Sequence, residues 1–161
     1  MDLTIIVLNL NTKDFLRDCL TSLRSSKLEA ERFEVLVSDN GSSDGSVEML
    51  KAEFPNVKIV ENGRNLGFAA GNNAALPYVA ADSRYVLFLN SDTRVPPETL
   101  TEMIAFMDQN PKVGASTCFI EMRDGALDRN CHRGFPTPWT ALVHFSGLYN
   151  ISPRSKLFGG Y

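Results

Sequence analysis

The residues best suited to chemistry follow a short apolar run near the middle of the chain. Tyr85–Leu89 is apolar or aromatic throughout, and Asn90-Ser91-Asp92 comes directly after it. A buried strand that leads into this pattern would place oxygen ligands at the rim of a sheet, where open α/β folds bind their ligands. Carboxylate oxygens suit hard divalent cations and the phosphates that these cations carry. Taken alone, such a tripeptide is more often a polar turn than a metal site.

Three further polar stretches follow other predicted strands. They are Asn9–Asn11, Ser38–Asp44 and Arg64–Asn73. In a parallel sheet the carboxyl ends of the strands lie at one edge, so we expect these stretches to converge with Asn90–Asp92. The sequence therefore predicts one composite site at that edge.

The individual residues of these stretches each allow two interpretations. Asp39 could accept hydrogen bonds from a base imide or a ribose hydroxyl, or it could close an Asx turn. Arg64 supplies positive charge for a diphosphate, and Gly67 lets the backbone approach a ligand. The alternative is a glycine turn before a helix of small residues that packs tightly on the sheet. For Ser43 and Asp44 we favour capping of the next helix.

The elements that must position these residues follow from the hydrophobic pattern. The predicted strands are Leu3–Leu8, Phe33–Val37, Val57–Val60, Tyr85–Leu89 and Val113–Phe119. The predicted helices are Asp14–Ser25, Ser46–Phe54, Phe68–Ala80, Pro96–Gln109 and Thr140–Leu148. Strands that alternate with helices indicate an α/β fold with a mostly parallel sheet and right-handed crossovers. Because the pattern decays after about residue 124, we predict an α/β domain over residues 1–125 and an irregular or helical extension over residues 126–161.

Composition excludes several classes of protein. With 161 residues, 43% of them hydrophobic and 22% charged, the chain resembles a soluble globular domain. A net charge of −3 does not suggest a nucleic-acid surface. No apolar run approaches the roughly 20 residues of a membrane helix, and no basic segment precedes the first strand as in a signal peptide. We therefore expect a cytoplasmic protein.

The three cysteines do not form a recognisable framework. Cys19, Cys118 and Cys131 are widely spaced and include no CxxC pair, which argues against disulfides and suits a reducing compartment. Cys131, His132 and His144 lack the paired short spacings of a structural zinc site, so we do not predict one.

Taken together, the motifs resemble those of family 2 glycosyltransferases of the nucleotide-binding GT-A fold. Within that family the chain looks most like the bacterial rhamnosyltransferase group that builds polysaccharides. The motifs, in order, are VLNLN, VSDNGSSDGS, GRNLGFAAGNNAAL, YVLFLNSDTRVPPETL and NPKVGAS. The resemblance runs from about Leu3 to Phe135 and ends in Arg133-Gly134-Phe135-Pro136.

The resemblance implies a role for each polar motif. Asn11 and Asp39 would hold the pyrimidine and ribose of a nucleotide-diphosphate sugar. Asn90 and Asp92 match the DxD metal motif in a variant with Asn first, so Asp92 would bind Mn²⁺ or Mg²⁺ together with the diphosphate. The residues that the resemblance places at the donor site are Asn11, Asp39, Arg64, Asn65, Gly67, Asn90 and Asp92.

One departure from the family pattern concerns catalysis. Family members usually continue with a Gly-Ala strand at the acceptor site and a Glu-Asp pair that supplies the catalytic base, and neither matches here. We interpret Glu121, Asp124 and Asp128 as solvated loop charges, and we expect the base beyond Tyr161. The chain is thus predicted to be the donor-binding portion, truncated before the acceptor part.

The implied activity is a metal-dependent, inverting transfer of a sugar from dTDP-rhamnose or a UDP-sugar. The acceptor would be a polysaccharide or a lipid-linked glycan, which is compatible with a peripheral position at the inner face of the plasma membrane.

Two alternative functions compete with this one. A Rossmann-type oxidoreductase would use an acid such as Asp39, but Asn9–Thr12 lacks the glycines of a dinucleotide-binding turn. A non-catalytic nucleotide-binding or assembly module would self-associate through apolar residues near the C-terminus. The residues that we expect to be exposed for such a homo-oligomer are Trp139, Leu142, Val143, Phe145, Leu148 and Phe158.

Overall fold

A sheet of four parallel strands forms the centre of the first part of the chain. The computed structural model describes residues 1–122, 124–128, 131 and 137–148. The strands are β1 (Leu3–Asn9), β2 (Phe33–Asp39), β3 (Lys58–Glu61) and β4 (Tyr85–Asn90), in the order β3-β2-β1-β4. The predicted α/β class with a parallel sheet is confirmed.

The chain divides into two units, Met1–Val113 and Gly114–Tyr161. The sheet and the candidate donor-site residues belong to the first unit. The predicted domain boundary at residue 125 stays a prediction.

The position of β1 explains its composition. It pairs with β2 on one side and β4 on the other, so both of its edges are occupied, and its two faces are covered by helices. Ile5, Ile6 and Val7 are accordingly fully buried. A strand in the centre of a parallel sheet needs this continuous apolar run rather than an alternating one.

Four helices of the first unit pack on this sheet or on each other. They are α1 (Lys13–Arg24), α2 (Ser46–Glu53), α3 (Phe68–Ala75) and α4 (Thr99–Gln109). The larger hydrophobic cluster joins Ile5 and Val7 to buried residues of α1, α2 and α4. A smaller cluster joins Ile6 to Leu36 and to Ala75 of α3. Since adjacent strand residues point to opposite faces, the clusters lie on the two sides of the sheet.

The contact between α3 and the sheet depends on a glycine. A Cβ atom at Gly71 would lie 2.6 Å from Leu8 Cδ1 and 2.8 Å from Asn40 Oδ1. Both distances are too short for non-bonded atoms, so a larger residue would push α3 away from β1. The tight packing that the small residues predict is therefore present.

Several predicted boundaries differ from the observed ones. The helix predicted over Phe68–Ala80 ends at Ala75 and continues as the 3₁₀ turn Leu76–Tyr78, because Pro77 cannot donate the next α-helical hydrogen bond. The helix predicted from Pro96 begins only at Thr99, whose amide donates to the Pro96 carbonyl at 3.1 Å. A short 3₁₀ turn at Ala30–Arg32 precedes β2.

The prediction of a fifth strand over Val113–Phe119 is wrong. Within the described residues this stretch forms no ladder, and residues 114–120 are all exposed. A β-branched and apolar composition stabilises a strand only through a neighbouring strand and a packed face.

In the second unit, helix α5 spans Pro138–Phe145 rather than Thr140–Leu148. It begins earlier because Thr137 and Thr140 form a reciprocal capping box, with Pro138 in the first turn. Trp139, Leu142 and Phe145 are exposed as expected.

The expectation that Val143 is exposed is wrong, because this side chain is buried. Residues next to each other in an α-helix lie about 100° apart around its axis, so Leu142 and Val143 face different surroundings. Arg133-Gly134-Phe135-Pro136, His132, Phe158 and Tyr161 lie outside the described residues. Among the helices that are described, none has the length and apolar character needed to cross a membrane.

Candidate functional site

The ends of β1, β2 and β4 are level with one another at one edge of the sheet. In the parallel register Asn9 is the partner of Asp39, and Leu8 is the partner of Asn90. The polar stretches that follow these strands therefore start side by side. Hydrogen bonds between them then determine how the site is built.

Asp39 organises the loop that follows β2. The residue is 2% exposed, and its carboxylate accepts four hydrogen bonds. Asn9 Nδ2 and Ser42 Oγ donate to Oδ1 at 2.8 and 2.5 Å, and the amides of Gly41 and Ser42 donate to Oδ2 at 3.1 and 2.8 Å. This is the geometry of the Asx-turn interpretation. Contact of Asp39 with a base or ribose stays a prediction.

Asn11 attaches the β1 loop to the β2 loop. Its amide donates to Ser42 Oγ at 2.9 Å, and its Oδ1 accepts from the Ser43 amide at 2.8 Å. Asn11 has a φ of 52°, a left-handed conformation that Asn tolerates better than most residues. Its side chain is exposed at the edge, so its predicted contact with a pyrimidine is sterically open.

Asp44 caps two helices at once, as the capping interpretation predicts. Its Oδ2 accepts from the amide of Lys13, the first residue of α1, at 2.9 Å. Its Oδ1 accepts from the amide of Ser46, the first residue of α2, at 3.0 Å. Partial burial alone would raise the pKa of Asp44, but the hydrogen bonds from Ser46 and Lys13 outweigh it and the pKa is lowered.

Asn40 attaches the loop after β3 to the end of β2. Its Nδ2 donates to the Gly67 carbonyl at 3.1 Å and to Asn65 Oδ1 at 3.3 Å, and its Oδ1 accepts from Asn62 Nδ2 at 3.0 Å. Asn65 Oδ1 also accepts from the Gly67 amide at 2.8 Å. Asn65 and Gly67 therefore shape their own loop.

The backbone of this loop comes very close to the β2 loop. A Cβ at Gly41 would lie 2.9 Å from the Arg64 amide nitrogen, and Gly41 has a φ of 80°. Only glycine suits that position. The Arg64 side chain is exposed and makes no hydrogen bond or ion pair within the described part of the chain.

The corner Asn90–Asp92 alternates between exposed and buried side chains. Asn90 and Asp92 are exposed, whereas Ser91 is only 7% exposed. Ser91 Oγ lies 2.8 Å from Thr12 Oγ1, which attaches the corner to the β1 loop. The Asp92 carboxylate has no hydrogen bond or ion pair with any residue that the structure describes.

Cys19 of α1 lies beneath this corner. Its thiol donates to the Asn90 carbonyl at 3.8 Å. Burial, with a smaller contribution from the negative charge of Asp92, raises the pKa of the Cys19 thiol to about 12. The thiol is therefore protonated at neutral pH and is neither a nucleophile nor a metal ligand there.

The donor set at the corner suits a cation that brings its own ligands. The described residues contain no group of three or more His, Cys, Asp or Glu side chains that could enclose a metal ion. Asp92 can offer one carboxylate and Asn90 one amide oxygen. Mg²⁺ is commonly bound by one or two carboxylates with substrate phosphates and water, so this open arrangement fits such a cation.

Comparison with known proteins decides which family this architecture represents. The family model described as "Glycosyl transferase family 2" matches residues 4–157. The chain belongs to this family. The family 2 resemblance of the polar motifs is thereby confirmed.

Relatives within family 2 are much longer than this chain. The poly(ribitol-phosphate) beta-glucosyltransferase of Bacillus spizizenii is 30% identical over 98% of this chain and 25% of its own length. The N-acetylglucosaminyl-diphospho-decaprenol L-rhamnosyltransferase of Mycobacterium tuberculosis is 30% identical over 65% of this chain and 38% of its own length. The chain thus spans well under half of either relative.

Solved structures confirm the predicted GT-A fold. Staphylococcus aureus TarS 1-349 in complex with UDP matches 87% of this chain and 39% of its own, with a TM-score of 0.65 and 27% identity. The mannosyltransferase PcManGT from Pyrobaculum calidifontis, in complex with GDP-Man and Mn²⁺, matches 74% of this chain and 35% of its own, with a TM-score of 0.65 and 25% identity.

Several residues of this family 2 site were not singled out from the sequence. Asn9, Thr12, Asn40, Ser42 and Ser91 make the hydrogen bonds that join the four loops. The one available signal was the density of short polar residues directly after apolar strands. The pairing of specific residues across separate loops has no signature in a single sequence.

Proposed function

We propose that this family 2 domain binds a nucleotide-diphosphate sugar at the carboxyl edge of its sheet. The observation that carries the proposal is a contrast within that edge. Four loops are hydrogen-bonded to one another, while the charges of Arg64 and Asp92 stay exposed and unpaired among the described residues. An edge built in this way has spare charges of both signs for a diphosphate and its cation.

The nucleoside would lie over the loops after β1 and β2. Asp39 is occupied by its four hydrogen bonds, so it orders the loop whose backbone receives the base and ribose. Asn11 uses its Oδ1 for Ser43, which leaves its Nδ2 to donate to a carbonyl oxygen of a pyrimidine. Occurrence of UDP in the TarS complex supports a nucleotide of this kind.

The diphosphate would lie between Arg64 and the Asn90–Asp92 corner. The Arg64 guanidinium can donate to phosphate oxygens, and Asp92 would hold Mn²⁺ or Mg²⁺ with the help of those oxygens. When bound, the cation offsets the negative charge that develops on the departing diphosphate. The mannosyltransferase complex, which contains Mn²⁺, supports a divalent cation as part of the proposed site.

The transfer reaction is proposed for the whole enzyme to which this domain belongs. Relatives named as a glucosyltransferase of poly(ribitol-phosphate) and a rhamnosyltransferase of a diphospho-decaprenol support a glycan or lipid-linked acceptor. Inversion needs a carboxylate that takes the acceptor proton while the sugar carbon is attacked. We propose that this base lies in a region equivalent to the part of the relatives that this chain does not match. The proposed donor is dTDP-rhamnose or a UDP-sugar. A cytoplasmic location at the inner face of the plasma membrane would suit a lipid-linked acceptor.

Thermal unfolding with nucleotide and metal tests the binding step. UDP or dTDP should raise the melting temperature of the chain in the presence of Mn²⁺ and much less in the presence of EDTA, because ligands that bind only the folded state stabilise it. Asp92→Ala should abolish the metal-dependent part of the increase in melting temperature. Glu31→Ala, which removes an exposed carboxylate near the opposite end of β2, should behave as the wild type. Absence of any metal-dependent shift in the wild type would refute the proposal.

A further inference from the structure

A line of hydrogen bonds runs from the β2 loop to the Asn90–Asp92 corner through the end of β1. This line, the relay, consists of Asp39, Asn9, Thr12 and Ser91. Asn9 Nδ2 donates to Asp39 at 2.8 Å, Thr12 Oγ1 donates to Asn9 Oδ1 at 2.7 Å, and Thr12 Oγ1 lies 2.8 Å from Ser91 Oγ. Asn9 has no exposed surface, and Asp39 and Ser91 are nearly buried.

The direction of every hydrogen bond in the relay is determined by chemistry. The Asp39 carboxylate can only accept, so the amide nitrogen of Asn9 must face it. The Asn9 carbonyl oxygen then faces Thr12 and takes the single hydroxyl proton of Thr12. In the remaining contact Ser91 must therefore be the donor. One orientation of each side chain satisfies the whole relay, which makes it a specific connection.

Thr12 makes this connection instead of capping a helix, which is the role that its position favours. It is the N-cap residue of α1, where a threonine hydroxyl normally accepts from the first backbone amides of the helix. Here the Thr12 side chain makes no capping hydrogen bond, and Asp44 caps the Lys13 amide instead. The hydroxyl of Thr12 is thus left to the relay.

Ser91 is the inner member of the corner. Its neighbours Asn90 and Asp92 point outward, while its own hydroxyl proton is committed to Thr12. Ser91 is therefore not a donor to the diphosphate. Its hydrogen bond to Thr12 instead fixes the backbone that presents Asn90 and Asp92.

We infer that Asn9 and Thr12 are positioning residues that couple the nucleotide loop to the metal-binding corner. The inference rests on the proposed function. With the relay intact, a nucleoside that further restrains the β2 loop also restrains the corner, so nucleotide and metal each strengthen the binding of the other. Such coupling is reciprocal by thermodynamic necessity.

The first test is a calorimetric titration of the 161-residue chain with UDP, in Mn²⁺ and in EDTA. Thr12→Val keeps the shape but removes the hydroxyl, and it should reduce the gain in UDP affinity due to Mn²⁺ by about fivefold or more. Thr12→Ser should restore the gain. Thr21→Val, which removes an exposed hydroxyl from the same helix away from the edge, should match the wild type.

A merely structural role for Thr12 would weaken UDP binding equally with and without the metal, and that result would overturn the inference. Ser91→Ala should mimic Thr12→Val, and the double variant should lose no more than either single variant, because both cut the same connection. Additive losses would also overturn it.

A second measurement needs no ligand and separates this inference from the proposed function. The Thr93 amide donates to the Asn90 carbonyl at 3.2 Å, so its hydrogen exchange reports the order of the corner. The Thr93 amide should exchange faster in Thr12→Val than in the wild type, and it should not do so in Thr12→Ser. If the wild type gains no affinity from Mn²⁺, the proposed function is wrong, whereas unchanged exchange in Thr12→Val shows that the relay does not position the corner.

Discussion

Asp39 and Asp92 are both aspartates that end or follow a parallel strand at the same edge, yet their surroundings are opposite. Asp39 is almost fully buried and accepts four hydrogen bonds. Asp92 is exposed and makes no hydrogen bond with the described residues. The same chemical group builds the site at the end of β2 and is available to a ligand at the end of β4.

The difference arises from the partners that the register supplies. Asn9 lies directly across from Asp39, so the two side chains share a face of the sheet and meet. Asp92 lies two residues beyond the end of β4, and the inward position next to it is taken by Ser91. A carboxylate after a strand is therefore not by itself a ligand. Its spatial neighbours decide whether it is available to bind one.

The largest expected effect is on the free energy of unfolding, which should respond differently to substitution of the two aspartates. Asp39→Ala would remove the acceptor of the Gly41 and Ser42 amides and one of the two acceptors of Asn9 Nδ2, which keeps Ser42 Oγ at 3.0 Å. Each buried donor that is left unpaired costs about 1–3 kcal/mol. We expect the free energy of unfolding in urea to fall by about 3 kcal/mol or more. Asp92→Ala should change it by less than about 0.5 kcal/mol. Equal losses in the two variants would contradict the comparison.

A smaller loss of stability is expected for Gly71→Ala in α3, near the place where the loop after β3 meets the end of β2. Gly71→Ala would place a methyl group 2.6 Å from Leu8 Cδ1 and 2.8 Å from Asn40 Oδ1. Overpacking of this kind typically costs about 1–3 kcal/mol. Displacement of Asn40 should also loosen the loop that carries Arg64.

Urea denaturation measures the stability effect of Gly71→Ala. The matched control is Gly114→Ala, since a Cβ there would meet no atom of the described residues within 4 Å. A stable Gly71→Ala variant would show that α3 can move without cost.

The smallest expected effect concerns the electrostatics of the β4 corner. Burial and then the charge of Asp92 raise the pKa of Cys19 to about 12. Asp92→Asn removes the second cause only, so the pKa should fall below that of the wild type and stay above the ordinary value of 9.0. Thiolate absorbance, with Cys118 and Cys131 replaced by serine, measures this pKa. An unchanged value would show that Asp92 lies farther from the thiol than the structure places it.

The same shift has a consequence for stability at alkaline pH. Since the folded state holds the Cys19 proton more tightly than the unfolded state, its contribution is complete below about pH 9 and is lost progressively as the pH rises toward about 12. Urea denaturation of the same double-serine protein across this range should show the decline, and it should be shallower in Asp92→Asn.

The sheet and the convergence of its loops could be predicted from sequence because both depend on local patterns. Continuous apolar runs such as Leu3–Leu8 predict buried parallel strands, and a parallel sheet places all following loops at one edge. Capping by Asp44 followed from residue type and position alone. Strand Val113–Phe119 was predicted on the same basis and was wrong, because strand formation depends on a partner that composition does not specify.

The different roles of the polar residues within the site could not be predicted from the sequence. Asp39 and Asp92 are chemically identical in the sequence, and only the register across β1 and β2 shows which one is occupied. Thr12 has the residue type and position of a helix cap, but a carboxylate 32 residues later in the chain takes that role. Such choices depend on distances between separate loops rather than on local pattern.

Paramagnetic relaxation by Mn²⁺ with UDP tests the central claim most directly, because broadening of amide signals falls off steeply with distance from the ion. We predict broadening at Asn11, Gly41, Ser91 and Asp92, with no effect at Ala30–Arg32 and none with Mg²⁺ in place of Mn²⁺. Asp92→Ala should abolish it. Broadening centred elsewhere in the chain, or retained in full by Asp92→Ala, would contradict a metal-diphosphate site at the end of β4.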